Sequence, residues 1–152
     1  MDHNNIKQQL LTACREYVEQ RLATATQAMQ NAQEAANEES KSSAGDKYET
    51  GRAMMQIERE KAAMQVVECY KLIQVLDQID PATFHHKISL GSIVTTQRMK
   101  LFLAIGAGRM AVSGEDFLVV APVSPIGKSL VGLKKGDQFT FNRMTDIVTG
   151  VW

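Results

Sequence analysis

Two acidic residues, Asp46 and Glu49, have the types and spacing that could do chemistry, within the stretch Gly45-Asp46-Lys47-Tyr48-Glu49. Three positions apart on a helix, they would share one side of its first turn. One interpretation is helix capping, with Asp46 accepting from a backbone amide and Glu49 reaching back to the cap. The other is an exposed carboxylate pair that shares a divalent cation with a partner supplying the remaining ligands.

Other signatures of catalysis are missing from the sequence. Gly127-Lys128-Ser129 lacks the glycine that a Walker A phosphate loop needs five positions earlier, where Pro122 stands. The sequence contains no CxxC and no HExxH motif. His85 and His86 are adjacent and cannot easily face one site together, so we interpret them as linker residues. We therefore do not expect a stand-alone enzyme.

The composition favours a folded, soluble protein. Apolar residues make up 44% of the 152 positions, which is enough for a packed core. The stretch Met1-Asp2-His3-Asn4-Asn5 has neither the basic nor the apolar region of a signal peptide, and no apolar run is long enough to span a bilayer. We expect a cytoplasmic protein without membrane contact, in which Cys14 and Cys69 are thiols.

The net charge of zero conceals an asymmetry between the two halves. Residues 1–80 carry 9 basic and 13 acidic residues, a net charge of −4, and residues 81–152 carry 8 and 4, a net charge of +4. Such a split favours two surfaces that meet different partners, or different parts of one partner. Small domains also differ by a few charges without any such role.

Two long helices must position the acidic pair. Residues 4–38 contain neither glycine nor proline, and the cluster at residues 40–45 of small, turn-prone residues ends the pattern. A second helical stretch follows from about Asp46 to Ile79, ended by Asp80-Pro81. Two such helices joined by a short turn should form an antiparallel coiled-coil hairpin. The first apolar stripe is Ile6, Leu10, Cys14, Val18, Leu22, Ala25, Met29, Ala32 and Ala36; the second is Met55, Arg59, Ala62, Val66, Cys69, Ile73 and Leu76.

The second half predicts strands. Five short stretches rich in β-branched or aromatic residues are separated by glycines: 88–95, 100–105, 117–121, 138–141 and 147–152. Residues 112–116 predict a hairpin turn. Ser124 and Pro125 predict the N-cap and first residue of a short helix that ends near Gly132. The sequence therefore predicts a small domain with a twisted antiparallel sheet and one short helix.

Two stretches resemble the Gre family of bacterial transcript-cleavage factors. Gly45-Asp46-Lys47-Tyr48-Glu49 matches the family's Gly-Asp-x-x-Glu at a similar distance from the N-terminus. Residues 124–132 resemble the family's segment that opens with Ser-Pro and an aliphatic residue and closes with two aliphatics and Gly, and Lys134-Lys135-Gly136-Asp137 follows. The resemblance in domain order extends over nearly the whole chain.

The resemblance implies an α+β fold, with a helical hairpin over residues 1–80, its acidic tip near residues 40–50, and an FKBP-like antiparallel-sheet domain over residues 81–152. Such a factor would bind bacterial RNA polymerase through the secondary channel as a monomer. It would stimulate cleavage of backtracked nascent RNA by the polymerase's own active site, and so touch the RNA indirectly.

The resemblance also implies roles for individual residues. Asp46 and Glu49 would assist the polymerase active site and hold a Mg²⁺ shared with the polymerase in the complex, while the free protein would bind no cofactor. Contacts with the partner would come from Lys47, Tyr48, Arg52, Ser124, Pro125 and Lys128.

The sequence departs from the family after Glu49, where familiar members continue Asn-Ala-Glu-Tyr and this chain has Thr50-Gly51-Arg52-Ala53. Gly51 should weaken the helix by roughly 1 kcal/mol relative to alanine. Two alternatives to cleavage stimulation therefore stay open. One is a secondary-channel regulator that does not promote cleavage, and the other is a coiled-coil interaction protein.

Overall fold

The structure is a computed structural model that describes the backbone of residues 2–40 and 45–152 and the side chains of residues 2–38 and 49–152. Two long helices come first, and strands with one short helix follow. The elements are α1 (His3–Ser40), α2 (Gly45–Asp77), β1 (Ile93–Thr96), β2 (Lys100–Leu103), β3 (Gly108–Val112), β4 (Glu115–Val120), α3 (Pro125–Leu130), β5 (Gln138–Phe141) and β6 (Met144–Val151).

The apolar stripe of α1 is buried as predicted. Leu22 and Met29 are half-buried, and the other seven positions of the stripe are buried. Asp2 precedes the helix, and its Oδ1 accepts a hydrogen bond from the Asn5 amide at 3.2 Å. This bond satisfies one of the amide groups that a helix start leaves without an intrahelical partner.

The stripe of α2 faces inward too, since each of its seven positions is at least half-buried and Arg59 is among the half-buried ones. Arg15, near the start of α1, pairs through Nη1 with Asp77 Oδ1 at 2.9 Å, at the end of α2. The two helices therefore run antiparallel, which confirms the predicted hairpin. Gly51 does not interrupt α2.

The six strands form one sheet in the order β3-β4-β2-β1-β6-β5. The predicted α+β architecture is confirmed with one correction: β2 and β4 pair in parallel, so the sheet is mixed, while the other four pairings are antiparallel. The reason is β3, an edge strand that the sequence did not predict. The chain passes β2, forms β3 at the edge, and returns as β4 between β3 and β2, in the direction of β2.

Local turns follow the sequence more closely. The predicted turn at residues 112–116 joins β3 to β4 through Ser113 (φ 51°) and Gly114 (φ 74°), a left-handed pair typical of two-residue hairpins. The stretch predicted as a strand from Ile88 to Thr95 is shorter, because Gly91 adopts φ 91° and β1 begins at Ile93.

The central strands of the sheet carry buried residues on both faces. One face packs with α3 around a cluster made of Ile88, Val94, Leu101, Leu103, Val120, Ile126, Leu130, Phe139, Val148 and Val151. The opposite face carries Ile93, Phe102 and Phe117, all buried. Ile6 of α1 lines a cavity together with Ile93 and Phe117, so the start of α1 covers this second face.

The chain divides into two compact units. One consists of Met1–Tyr17 with Gln74–Trp152, and the other is Val18–Ile73. The first unit contains the sheet, α3 and the paired ends of the two long helices. The second contains the rest of the helical pair, which we call the arm. The sequence-based boundary, with a hairpin over residues 1–80 and a second domain over residues 81–152, stays a prediction.

Candidate functional site

The acidic motif lies at the beginning of α2. The helix starts at Gly45, so positions 46 and 49 are one turn apart in its first turn. The side chains of Asp46, Lys47 and Tyr48 lie outside the described residues. Glu49 is exposed, as is Arg52 in the next turn. Because the side chain of Asp46 lies outside the described residues, both sequence-based interpretations, helix cap and exposed carboxylate pair, stay predictions.

The arm positions this motif. From Val18 to Ser40, α1 rises about 33 Å at about 1.5 Å per residue. Within the arm the buried side chains are small or narrow, and include Ala25, Ala32, Ala36, Ala62 and Cys69. Small residues let two helices approach closely over a long distance while burying little area per turn. Such an arm uses many residues and buries little apolar surface. This arrangement is reasonable if the end of the arm must reach a target.

The described residues offer no complete metal site. Among residues 2–38 and 49–152, no three His, Cys, Asp or Glu side chains come together as candidate ligands. Positions 46 and 49 add two carboxylates, and Mg²⁺ commonly takes one or two carboxylates and keeps several waters or substrate oxygens. Two carboxylates would leave most of the coordination sphere to other ligands, and a cation shared with a partner stays a prediction.

The segment around α3 is ordered by a cap. Ser124 Oγ accepts from the Gly127 amide at 3.2 Å and donates to the Ala121 carbonyl at 2.6 Å. A Cβ at Gly127 would lie 2.1 Å from that carbonyl oxygen, so no other residue fits there without a shift. Sequence reasoning identified the cap but missed this steric requirement. Pro125 and Lys128 are exposed and accessible to a partner.

Packing accounts for the two cysteines, and contacts with neighbouring side chains account for His85 and His86. Cys14 and Cys69 are free and buried, and burial raises the pKa of the Cys14 thiol to about 11, away from thiolate chemistry. His85 Nδ1 lies 2.9 Å from Ser89 Oγ, and burial, together with the charge of Lys7, lowers the pKa of His85. His86 is exposed and stacks edge-on against Phe84.

Lys7 is a buried lysine that sequence reasoning missed. It is 1% exposed, and its Nζ donates to the Thr83 carbonyl at 2.7 Å. Burial lowers the pKa of Lys7 to about 8, and the nearby charge of Asp80 partly opposes this shift. Lys7 directly follows Ile6, a member of the apolar stripe, and this adjacency was a signal that could have found it. The hydrogen bond connects α1 with the segment after α2.

A small cavity of about 270 Å³ lies where the start of α1 meets the sheet. His3 stacks on Trp152 at one side, with ring centroids 3.9 Å apart. Lys100 Nζ pairs with Glu115 Oε1 at 2.9 Å on another side, while Glu115 Oε2 is buried without a hydrogen-bond partner. The cavity lies in the unit that contains the sheet and shares no residue with the acidic motif.

Comparisons with known proteins add little. No protein-family model matches this sequence, and no curated protein matches it significantly. A solved structure of the transcription factor Gfh1 matches with a TM-score of 0.35 and 17% sequence identity, over 90% of this chain and 92% of that chain. A TM-score of this size carries no argument about function. Separately, none of the helices in the described part of the chain is long and apolar enough to cross a membrane.

Proposed function

We propose that this protein is a Gre-type transcription factor that binds bacterial RNA polymerase through the secondary channel and stimulates cleavage of backtracked RNA. The supporting observation is the start of α2 at Gly45. It places the motif Gly45-Asp46-Lys47-Tyr48-Glu49 in the first turn of the second helix of a long antiparallel pair. The sequence resemblance to the Gre family rests on this same motif together with residues 124–132 and the domain order.

The tip would work by completing another protein's site. Asp46 and Glu49 would lie beside the catalytic centre of the polymerase, where a Mg²⁺ can stabilise developing negative charge and activate water. The contribution of this chain is two carboxylates held one helical turn apart, together with contacts from Lys47, Tyr48 and Arg52. The chain would not be an enzyme by itself, because the bond would be cut in the polymerase active site.

The unit that contains the sheet would supply the docking contacts. Residues 81–152 carry a net charge of +4, which favours an acidic surface on the partner. Pro125 and Lys128 are exposed next to the Ser124 cap, so the cap presents them on a fixed turn. An FKBP-like identity for this unit remains part of the proposal and implies no prolyl isomerase activity.

The deciding experiment follows the length of end-labelled RNA in stalled, backtracked elongation complexes of the organism's own polymerase, with Mg²⁺. We expect the native protein to shorten the transcript. Asp46→Ala and Glu49→Ala should each reduce stimulated cleavage by at least about tenfold, since each removes one carboxylate from a two-carboxylate cation site.

The matched control is Glu34→Ala, which removes an exposed carboxylate from α1 of the arm. It should cleave like the native protein. Polymerase binding without shortening would favour the non-cleaving secondary-channel regulator instead. Absence of polymerase binding would contradict the whole proposal.

A further inference from the structure

The outer side of α2 carries large apolar side chains that remain 52–70% exposed: Met54, Ile57, Met64, Val67 and Tyr70. Successive residues of a helix are 100° apart, so Ile57, Met64 and Val67 lie on the side of α2 opposite its buried stripe. Met54 and Tyr70 lie between that side and the stripe, one on each flank. The steps of seven and three residues between Ile57, Met64 and Val67 are those of a coiled-coil seam. We call this surface the outer face of α2.

The first helix has no such face. In its described part, the exposed positions are polar, charged or alanine, and each large apolar side chain is buried or half-buried. The two helices share the same arm and the same solvent, so exposure of apolar residues is not a general property of the arm. Large exposed apolar side chains concentrated on one side of a helix favour a contact with another protein surface.

The order of the charged side chains on the outer face indicates which kind of surface would be complementary to it. Glu60, Lys61, Glu68 and Lys71 are all exposed there. If a second copy of α2 runs in the opposite direction about residue 65, Glu60 comes within one residue of the position opposite Lys71, and Lys61 within one residue of the position opposite Glu68. A parallel copy in register would instead bring each charge to its own like charge. The pattern is therefore complementary to its own reverse.

These charges can exchange their present ion pairs for new ones. Lys61 and Glu58 lie 3.7 Å apart, and Lys71 and Glu68 lie 3.2 Å apart, each pair within α2 and with side chains 57–69% exposed. Ion pairs this exposed contribute little to stability, so exchanging them for contacts across an interface costs little.

We propose that a second copy of this chain docks antiparallel on the outer face of α2, with Met64 and Val67 close to the two-fold axis. The contact is isologous, because each copy offers the same surface. One helical face is small beside the 1,200–2,000 Å² or so of a standard stable interface, so the dimer is weak and concentration-dependent. This differs from the monomer expected from sequence, and it does not rest on the proposed function.

The test is sedimentation velocity of the full chain over a wide concentration range, at low and high salt. The native protein should shift from monomer to dimer as concentration rises, more readily at low salt. Lys61→Glu and Glu68→Lys, each alone, place like charges opposite each other twice and should weaken the dimer about tenfold. An equimolar mixture of the two variants should recover it, because the heterodimer pairs opposite charges at both positions.

The matched control is Glu34→Lys, which makes the same charge change on the exposed surface of α1. It should dimerise like the native protein, and circular dichroism should show equal helix content in all variants. Met64→Gln should weaken the dimer without a change of charge.

A chain that stays monomeric at every concentration would overturn the proposal. So would single charge variants that associate as well as the native protein, since that result requires another register or surface. Neither outcome bears on RNA cleavage, which is measured separately.

Discussion

Lys7 is the residue whose environment differs most from what its type suggests. Its amine is removed from water and has the Thr83 carbonyl as its hydrogen-bond acceptor. Lysine is rarely buried to this extent because desolvation of an ammonium group is costly. The residue therefore links α1 to the segment after α2, and the link costs the desolvation of its amine.

The contribution of Lys7 to the free energy of unfolding depends on pH. The pKa of Lys7 is about 8 in the folded protein and about 10.5 in an unfolded chain, so between these values the unfolded chain binds more protons. We predict that the free energy of unfolding of the native protein, relative to that of Lys7→Met, increases as pH rises from 8 to 10. Urea denaturation of both proteins at pH 7, 8.5 and 10 measures this difference. If the difference in free energy of unfolding between the two proteins did not change with pH, the lowered pKa of Lys7 would be contradicted.

At the scale of the elements, Gly51 is the weak position of α2. The helix continues through it although glycine is among the poorest helix formers. We predict that Gly51→Ala raises the free energy of unfolding of the arm by about 1 kcal/mol. Thermal unfolding followed at 222 nm tests this, and Ala53→Gly, two positions further along the same helix, should have the opposite effect.

The junction of β6 with the turn between β1 and β2 depends on Asp146, which is buried. Its Oδ2 accepts from Thr96 Oγ1 at 2.6 Å, and its Oδ1 accepts from the amides of Gln97 at 3.1 Å and Ile147 at 2.7 Å. The register between β1 and β6 shifts at this point, between Thr95 and Thr96. The carboxylate thus supplies the acceptors that a regular ladder would have provided.

We predict that Asp146→Ala destabilises the protein by about 2–3 kcal/mol, because three donors lose a buried charged acceptor. Chemical denaturation measures the loss. Asp116→Ala removes an exposed carboxylate from β4 and serves as the control, with an expected change below about 0.5 kcal/mol. Equal effects of the two substitutions would show that the Asp146 network contributes nothing.

At the scale of the whole molecule, the start of α1 belongs with the sheet. Ile6 and Leu10 are buried, and Ile6 shares a cavity wall with Ile93 and Phe117. Without α1, one face of the sheet would expose large apolar residues to water. The unit that contains the sheet is therefore built from both ends of the described chain.

We predict that a fragment comprising residues 81–152, the domain boundary expected from sequence, does not fold to a stable state. Loss of the α1 cover should expose the sheet face with Ile93, Phe102 and Phe117 and increase binding of a hydrophobic dye. A cooperative unfolding transition of the fragment, as stable as in the full chain, would show that the cover is dispensable.

The sequence alone determined the features that depend on near neighbours. The apolar stripes of α1 and α2, the turn at Ser113-Gly114 and the Ser124-Pro125 cap were all predicted, because periodicity, turn residues and caps act within a few positions. The acidic motif was identified in the same way, and the start of α2 at Gly45 lies one residue from the predicted start near Asp46.

Only the tertiary structure decided which distant segments meet. The edge strand β3 is mostly exposed and its alternation spans only Arg109 to Val112, so it was not among the strands predicted from sequence, although the turn that follows it was. The parallel pairing of β2 and β4 follows from its insertion at the edge. The burial of Lys7 and the covering of the sheet by α1 depend on contacts between residues more than 70 positions apart. Such contacts are selected by the free energy of the whole packed core, which no local pattern encodes.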